Sequence, residues 1–495
     1  MKKYFTLTVS IFLLLFNFSF CQEYGDFPKI TKEEALNDLE LLHQGLDKFH
    51  SGMYWYTPKD SIDYAFKEVK SKIKHELTIP AFYKLTAPLV ALSREGHTSI
   101  SLPKNIRQKI NNEASFLPFT SVFLGTKMYF VLDGSNLENA QLVEEEIELI
   151  NGERPIDIAK KLFDFLTADG FITDSKLSDL SDFSFSIYYF YYYGNVNNFT
   201  IKFKEIENPL TIEALNLEKI RENIKKKHPK KETVKKKDLL EFKLLNTETA
   251  YLGVHSFSNQ DIKEGSREKN IKEFLANSFK SIAANNIKNL IIDVSENGGG
   301  TEGNESLLYS YIGENYQKYK KVRAKTQKAV LDNGVNKPIQ LKTFGFLERT
   351  FVNKKMKDGS YERKEWIGFG LMAFKKKPKD SFTGKVYVII SPITYSGGSE
   401  FSNMVYTNDL ATFVGQETGG GYYGNTSGYG QKVVLPNSKI EVEIPALQFI
   451  MNVEPKLPFG RGVIPDHQII PTFEQYQNKE NASLEFILQL IEKEK

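Results

Sequence analysis

Three short apolar runs in the C-terminal half, each followed by a turn of small residues, constrain the fold of this chain most strongly. The runs cover 290–294, 386–390 and 411–414, and they are mostly apolar and rich in β-branched residues. Such runs are typical of parallel strands that are buried on both faces of a sheet. Amphipathic patterns such as 271–282 lie between them and indicate helices. Strands that alternate with helices in this way predict an α/β core.

The chain has 495 residues, more than one ordinary domain, so several regions are expected. A capping box formed by Thr31 and Glu34 begins a helical region, and a β-rich region with an Asn-Gly turn follows it. The order of strand, turn and helix in this second region resembles a PDZ domain. The expected division is a signal peptide at 1–21, an N-terminal helical region at 28–103, a PDZ-like β-rich domain at 115–205, a basic linker at 215–240, an α/β core at 241–475 with an insertion at 313–380, and a C-terminal helix at 476–495.

The first 21 residues have the pattern of a signal peptide, which is removed on export. Lys2 and Lys3 precede an apolar run, and Ser19 and Cys21 supply the small residues before the expected cut. The run is too short for a membrane span, and no later stretch approaches the roughly 18–20 apolar residues that a span needs. We therefore expect a periplasmic or secreted protein. A lipoprotein anchored through Cys21 is the less favoured alternative, because the bulky Phe20 precedes it.

The cysteine and charge content of the chain exclude several classes of protein. Cys21 is the only cysteine, so the mature chain has no disulfide, no cysteine nucleophile and no cysteine-bound metal. The net charge of +3 is close to neutral for this length, which argues against a nucleic-acid partner and a membrane-attracted surface. The lysine-rich stretch at 225–237 contains no interleaved aromatic residues, so we interpret it as a solvated linker rather than an anionic docking site.

The turns after the apolar runs are the places where an α/β fold puts its functional site. Turn 295–300 ends in three glycines, whose N–H groups can approach a developing oxyanion, and it lacks the Lys-Ser/Thr of a phosphate loop. Turn 394–400 places Ser396 at the start of the next predicted helix. There the positive helix end favours a nucleophile, and the N–H of Gly397 can serve an oxyanion hole. A helix cap formed by Ser396 or Ser399 is an equally open interpretation.

A serine nucleophile needs a base, and histidine is the first candidate for that role. Among the seven histidines, His97 differs because it follows a glycine at a break between a predicted helix and a predicted strand. A structural role is the commoner case for a single histidine, so both interpretations remain open on the residues alone. The sequence contains no H-E-x-x-H and no other paired-histidine spacing, so it predicts no metal site.

Four motifs, taken in order, resemble the signature of the S41 serine peptidases, which include the tail-specific or C-terminal processing proteases and the tricorn core. The motifs are the strand and glycine turn at 290–300, Thr394-Tyr395-Ser396, Glu417-Thr418-Gly419-Gly420 and Gly462-Val463-Ile464-Pro465-Asp466. Glu95-Gly96-His97-Thr98 resembles the histidine motif of the tricorn-like branch. The resemblance implies a ClpP/crotonase-like ββα core at 241–475, with Ser396 as nucleophile and His97 as base.

The chain departs from the Ser-Lys branch of this family, whose lysine base lies in the turn that holds Gly421 here. No lysine occurs between the serine and Lys432. His97 is therefore the base that the resemblance implies. In the tricorn-like pattern a late glutamate helps to hold the histidine, and Glu454 lies where that residue falls. Ser295 stands where the family often has an arginine.

Together these assignments predict an exported serine endopeptidase that forms an acyl-enzyme on Ser396, with His97 as general base and Glu454 as its support. Gly397 and Gly299 are expected to form the oxyanion hole. We expect a peptide or an unfolded protein as substrate, no metal and no organic cofactor. Two alternatives remain: a catalytically inactive peptide- or lipid-binding member of the same fold, and a crotonase-like hydrolase that acts on small acyl substrates.

Overall fold

The computed structural model describes residues 26–138, 142, 145–229, 238–326, 351–364 and 375–494. The expected signal peptide at 1–21, with Cys21, lies outside the described residues. So do residues 230–237 of the expected linker and two parts of the expected insertion, 327–350 and 365–374. None of the described helices is both long enough and apolar enough to cross a membrane.

Helices and strands alternate along the described chain, and the first long helix begins at the predicted capping box of Thr31 and Glu34. The helices are Lys32–Phe49, Lys59–Lys72, Ile79–Ala91, Lys104–Glu113, Pro155–Leu162, Asp174–Asp179, Ser184–Tyr193, Leu217–Lys227, Asn259–Gly265, Ile271–Ala284, Asn304–Ser310, Gly397–Thr407, Phe473–Asn478 and Ala482–Lys493. The strands are Lys29–Ile30, Leu77–Thr78, Ser99–Ser101, Phe119–Leu124, Lys127–Asp133, Ile147–Ile150, Asn198–Phe203, Leu210–Glu213, Leu240–Leu244, Thr249–Val254, Asn289–Asp293, Tyr319–Ala324, Asn353–Lys355, Tyr361–Arg363, Lys385–Ile390, Thr412–Gly415, Gly424–Ser427, Gln431–Val434, Glu441–Ile444, Leu447–Met451 and His467–Gln468.

A six-stranded sheet forms the centre of the C-terminal half. Its strand order is His467–Gln468, Thr412–Gly415, Lys385–Ile390, Asn289–Asp293, Thr249–Val254 and Leu240–Leu244. All neighbouring strands are parallel except the last pair. Three of these strands coincide with the apolar runs of the sequence, so the predicted α/β core is confirmed.

Both faces of the central sheet are covered, which explains why its strands show no polar alternation. Ile292 and Val388 point to one face and pack in the core that contains the helix Ile271–Ala284. Ile291 and Ile389 point to the other face and pack against the C-terminal helix. All four side chains are almost completely buried.

A second sheet of five strands packs into the same core. Its order is Asn353–Lys355, Tyr361–Arg363, Tyr319–Ala324, Leu447–Met451 and Gly424–Ser427. Tyr319, Val322 and Ala324 of the middle strand are buried in the main core. This strand begins inside the expected insertion at 313–380, so that part of the region is an integral strand of the core.

The N-terminal helices share one apolar core with a hairpin at 431–444 from the C-terminal half. The second strand of the hairpin pairs with the strand Ser99–Ser101. A polar contact adds to this packing, since the Asp38 carboxylate accepts hydrogen bonds from the Ser438 N–H and hydroxyl at 2.7 and 2.6 Å. Because the strand Ser99–Ser101 begins two residues after His97, the pairing fixes the His97 loop against the C-terminal half.

The region at 115–205 has a third apolar core, with one sheet of two strands and strands of another sheet of three. Its match to a PDZ domain remains a prediction. A loop of this region at 166–172 reaches the C-terminal half, where the Phe171 N–H donates to the Gly460 carbonyl at 2.7 Å. The loop therefore brings Asp169 toward the glycine and serine turns of the central sheet.

Candidate active site

Ser396 lies in a strained turn between the strand Lys385–Ile390 and the helix Gly397–Thr407, called the serine helix below. Its φ is 50° and its ψ is −123°, a conformation that costs a residue other than glycine about 1–3 kcal/mol. The turn is held by the Tyr395 N–H, which donates to the Asn297 carbonyl at 3.0 Å. The Ser396 hydroxyl does not cap the helix and makes no hydrogen bond within the described part of the chain. The helix-cap interpretation of this serine is therefore wrong, and the turn presents a free hydroxyl.

The turn of three glycines lies directly against Ser396. Gly299 has a φ of 101°, and a Cβ added to it would lie 2.6 Å from Ser396 Cβ and 2.8 Å from Gly397 N. Only glycine permits such an approach. The Gly299 N–H donates to Asn297 Oδ1 at 2.8 Å, so it is not free to bind an oxyanion. The N–H groups of Gly397 and Gly300 have no acceptor among the described residues, which makes them the better candidates for an oxyanion hole.

His97 lies beside the serine turn although the two are far apart in the sequence. His97 Nδ1 is 3.0 Å from the hydroxyl oxygen of Tyr395, the residue before Ser396. The two rings pack with their centres 4.8 Å apart. The same hydroxyl donates to Asp169 Oδ1 at 2.9 Å. The structure thus brings Ser396 and His97 into one site and connects them through Tyr395.

Two buried carboxyl groups, those of Glu95 and Asp169, complete this side of the site. Asp169 also accepts hydrogen bonds from the Gly96 N–H at 2.8 Å and the Gly421 N–H at 3.0 Å. One polar side-chain atom from each of Glu95, His97 and Asp169 lies within 4.8 Å of the others. Burial and the negative charge of Asp169 raise the pKa of Glu95 well above its usual range. Burial therefore favours the protonated form of Glu95, while the Asp169 carboxylate is held by hydrogen-bond donors.

The pKa of His97 is lowered from its usual value. Burial of the imidazole lowers this pKa, and the negative charges of Asp169 and Glu400 raise it by a smaller amount. His97 is therefore neutral at neutral pH, which is the state in which a general base can accept a proton.

A buried lysine joins the glycine turn to the serine helix. Lys318 Nζ lies within 2.8 Å of three carboxylates, those of Glu302, Glu305 and Glu400. Glu302 and Glu305 follow the glycine turn, and Glu400 lies in the first turn of the serine helix. Burial lowers the pKa of Lys318, but the three carboxylates raise it further, to well above its usual range. This lysine stays charged, so it is unsuited to take a proton from Ser396.

Two groups of side chains have the composition of metal sites, namely Glu95, His97 and Asp169, and Glu302, Glu305 and Glu400. The oxygen atoms of Glu95 have no hydrogen-bond partner among the described residues, but the other carboxylates are engaged by donors. Asp169 faces two N–H groups and one hydroxyl group. Glu305 and Glu400 face the ammonium group of Lys318. Such donors hold the carboxylates in charge-assisted hydrogen bonds. The geometry therefore favours hydrogen-bonded networks at both places.

The structure does not bring Glu454 to His97. The Glu454 side chain is exposed, and its backbone N–H donates to Thr407 Oγ1 at 2.8 Å, at the far end of the serine helix from Ser396. The helix has 11 residues, and at about 1.5 Å per residue its ends are about 16 Å apart. The carboxylate on the His97 side of the site is Asp169, so Glu454 does not occupy the place that the resemblance implied.

The motifs alone did not identify Asp169, Glu95 or Tyr395 as site residues. Glu95 lies in the histidine motif and Tyr395 in the serine motif, but the chemistry of these motifs points only to His97 and Ser396. Asp169 belongs to the expected β-rich domain, and in the sequence it looks like part of an ordinary Asp-Gly turn. Its role depends on a contact between distant segments, so no local pattern marks it.

Comparison with known proteins agrees with this geometry. Residues 248–469 match the sequence model of peptidase family S41. Among solved structures, mature CPAF has a TM-score of 0.60 at 15% sequence identity, over 93% of this chain and 96% of that chain. Mature CPAF complexed with lactacystin gives a TM-score of 0.59 at 15% identity, over 93% and 97% of the two chains. No curated protein sequence matches this chain. The structural similarity shows a shared fold, and the match of residues 248–469 assigns this part of the chain to peptidase family S41, a family of serine-type peptidases.

Proposed function

We propose that this chain is an exported serine endopeptidase that cleaves peptides or unfolded proteins through an acyl-enzyme on Ser396, with His97 as general base. The observation that carries the proposal is the hydrogen bond between His97 Nδ1 and Tyr395, the residue before Ser396. A free hydroxyl in a strained turn, with a neutral imidazole beside that turn, supplies the parts that a serine nucleophile needs. The sequence pattern of 1–21 supports export.

The proposed reaction begins when Ser396 Oγ attacks the carbonyl carbon of the scissile peptide bond and His97 Nε2 takes the hydroxyl proton. In the structure the Ser396 hydroxyl makes no hydrogen bond to His97, and such contacts often tighten only when a substrate binds. His97 then gives the proton to the leaving amine as the carbon–nitrogen bond breaks. A water molecule, with His97 again as base, hydrolyses the ester on Ser396 and restores both groups.

The oxyanion of the tetrahedral intermediate is proposed to lie between the N–H groups of Gly397 and Gly300. Both groups lack an acceptor among the described residues, and the positive end of the serine helix favours negative charge at Gly397. Gly300 N lies 3.8 Å from the position that a Cβ on Gly397 would occupy. Gly299 is then proposed to act through its small size rather than through its own N–H group.

Gly299→Ala is expected to lower kcat at least about 100-fold, because the added methyl group displaces Ser396 or the Gly397 N–H from the oxyanion. Gly298→Ala is the matched control, since a Cβ added there meets no atom within 4 Å. The measurement is kcat for an internally quenched peptide, with thermal unfolding to verify both folds. Equal activity of the two variants contradicts the role proposed for Gly299.

The proposed nucleophile can be tested with a fluorophosphonate, which reacts covalently with activated serines. We expect one adduct per mature chain, located on Ser396 by peptide mass spectrometry. Ser399→Ala is the control from the same turn, because the Ser399 hydroxyl donates to the Thr394 carbonyl at 2.8 Å and is not free to attack. This variant should label like the wild type, whereas Ser396→Ala should not label and His97→Gln should label much more slowly.

Two outcomes of the labelling experiment contradict the proposal. An adduct on another serine rejects Ser396 as nucleophile. Absence of any adduct, together with saturable binding of a peptide or lipid and no turnover, favours the catalytically inactive binding protein as the alternative function. Lactacystin, which the structure of mature CPAF shows in complex with that protein, provides a second, chemically different probe in case the fluorophosphonate does not reach the site.

A further inference from the structure

The hydroxyl of Tyr395 occupies an unusual position, because it touches both the proposed base and a buried carboxylate. Its oxygen lies 3.0 Å from His97 Nδ1 and 2.9 Å from Asp169 Oδ1. No hydrogen bond joins His97 directly to a carboxylate among the described residues. The hydrogen-bonded connection from Asp169 to the imidazole therefore passes through the phenol group.

The arrangement of donors fixes the direction of the two hydrogen bonds. A phenol has one proton to donate. Asp169 already accepts from two backbone N–H groups, one on each carboxylate oxygen, so it also acts as an acceptor toward the phenol. The Tyr395 proton is then directed to Asp169, and the Tyr395 oxygen accepts the proton of His97 Nδ1. With its proton on Nδ1, the neutral imidazole keeps its lone pair on Nε2.

We propose that Tyr395 is a positioning residue that selects the Nδ1–H tautomer of His97 and transmits the negative charge of Asp169 to it. The inference rests on the proposed function, in which His97 Nε2 takes the proton of Ser396. Tyr395 does not itself exchange a proton in the reaction. Burial, together with the nearby charge of Asp169, raises the pKa of its hydroxyl well above the usual range, so the phenol stays neutral.

The backbone around Tyr395 gives the hydroxyl a fixed place. The Tyr395 N–H donates to the Asn297 carbonyl at 3.0 Å, and its carbonyl accepts from the Gly398 N–H at 2.9 Å. On the other side, a Cβ added to Gly96 would lie only 2.3 Å from the Tyr395 hydroxyl oxygen. The absence of a side chain at Gly96 thus makes room for the contact with His97. The turn that presents Ser396 also orients its base.

Tyr395→Phe removes the hydroxyl and keeps the ring that packs on His97. We expect kcat to fall about 10- to 100-fold, which is the range for losing a hydrogen bond to a charged group, and KM to change by less than about twofold.

The variant should also change the pH dependence of kcat. The groups that face His97 after the change are Asp169, Glu95 and Glu400. Without the Tyr395 hydroxyl, the protonated imidazole of His97 loses a hydrogen-bond acceptor, so the pKa of His97 falls. The acid limb of the plot of kcat against pH therefore moves to lower pH. A residue with only a structural role would leave this limb in place.

Tyr387→Phe is the matched control, because the Tyr387 hydroxyl also bonds a carboxylate, that of Glu494 at 3.1 Å, but lies on the strand before the serine turn. It should leave both kcat and the pH profile unchanged. If Tyr395→Phe behaves like this control, the inference is overturned. If instead Ser396→Ala retains activity, it is the proposed function that fails.

A second measurement does not depend on turnover. In protein labelled with ¹⁵N-histidine, the nitrogen chemical shifts of a neutral imidazole report which ring nitrogen carries the proton, and His97→Gln identifies the signals of His97. We expect the Nδ1–H tautomer in the wild type and a shift toward the Nε2–H tautomer in Tyr395→Phe. The same tautomer in both proteins overturns the inference, whatever the activity measurements show.

Discussion

Ser396→Ala is expected to lower kcat/KM for peptide cleavage by at least about 10⁴-fold, because removing the nucleophile leaves only binding and the oxyanion hole to act on the substrate. The fold should survive the change. The Ser396 hydroxyl makes no hydrogen bond within the described residues, so its loss removes no intramolecular hydrogen bond there. The measurement is turnover of an internally quenched peptide or an unfolded protein by the purified mature chain, with thermal unfolding recorded for each variant.

Ser399→Ala provides the comparison for this result. It deletes a buried hydroxyl that donates to the Thr394 carbonyl at 2.8 Å, which should lower the free energy of unfolding by about 1 kcal/mol and leave most of the activity. The two neighbouring serines should therefore show opposite patterns, one losing activity and the other some stability. Equal turnover by Ser396→Ala and the wild type contradicts the assignment of the nucleophile.

Lys318→Met should have the largest effect on stability, with a loss of about 3–5 kcal/mol in the free energy of unfolding at neutral pH. The change removes the only cation that contacts Glu302, Glu305 and Glu400 among the described residues. Glu305 and Glu400 are buried, so the variant leaves two buried carboxyl groups without their cation. Urea unfolding at neutral pH is the measurement.

Lys321→Met is the control for this prediction. Lys321 makes a partly exposed ion pair with Glu362 at 3.6 Å, and the loss of this ion pair should lower the free energy of unfolding by at most about 1 kcal/mol.

The stability deficit of Lys318→Met should shrink as the pH falls, and the sign follows from the carboxyl groups. Without the ammonium, the folded-state pKa values of these carboxyls rise above their unfolded values. A carboxyl group whose pKa is higher in the folded state than in the unfolded state stabilises the fold below its unfolded pKa. This contribution is lost as the pH rises through the folded-state pKa. The wild type already shows this direction at Glu302, where desolvation and the neighbouring carboxylates of Glu400 and Glu305 raise the pKa to about 7 although Lys318 lowers it. A deficit that is the same at pH 5 and pH 8, or one no larger than that of Lys321→Met, contradicts the role given to this lysine.

The central sheet was predictable because each of its main strands is buried on both faces, which leaves a continuous apolar run in the sequence. Ile291 and Ile292 point to opposite faces and are both covered, so neither position needed a polar residue. The serine and glycine turns were predictable for a related reason. They follow these strands directly. The backbone geometry of such turns requires glycine, so the glycines mark the turns in the sequence.

The partner of the histidine was not predictable, because its place depends on contacts between distant segments. Glu454 had the right spacing from Ser396 in the family pattern, but spacing along the chain does not determine where a loop packs. The loop leads Glu454 to Thr407 at the far end of the serine helix. Asp169 reaches the site from another region because its loop packs at Gly460. The role of Gly299 was also not predictable from the sequence. Only the structure shows that its N–H donates to Asn297 Oδ1 and is therefore not free to bind an oxyanion.

The hairpin at 431–444, which is buried among the N-terminal helices, has a consequence for the order of events during synthesis. The ribosome completes the segments with His97 and Asp169 long before it reaches Ser396 and this hairpin. An unfinished chain therefore lacks the nucleophile, and its N-terminal helices expose the apolar surface that the hairpin later covers. A fragment restricted to the family-matched residues 248–469 has the converse defect, with a nucleophile but no base. Under the proposed mechanism, proteolysis can begin only after the serine turn and this hairpin have been synthesised and have packed against the N-terminal region.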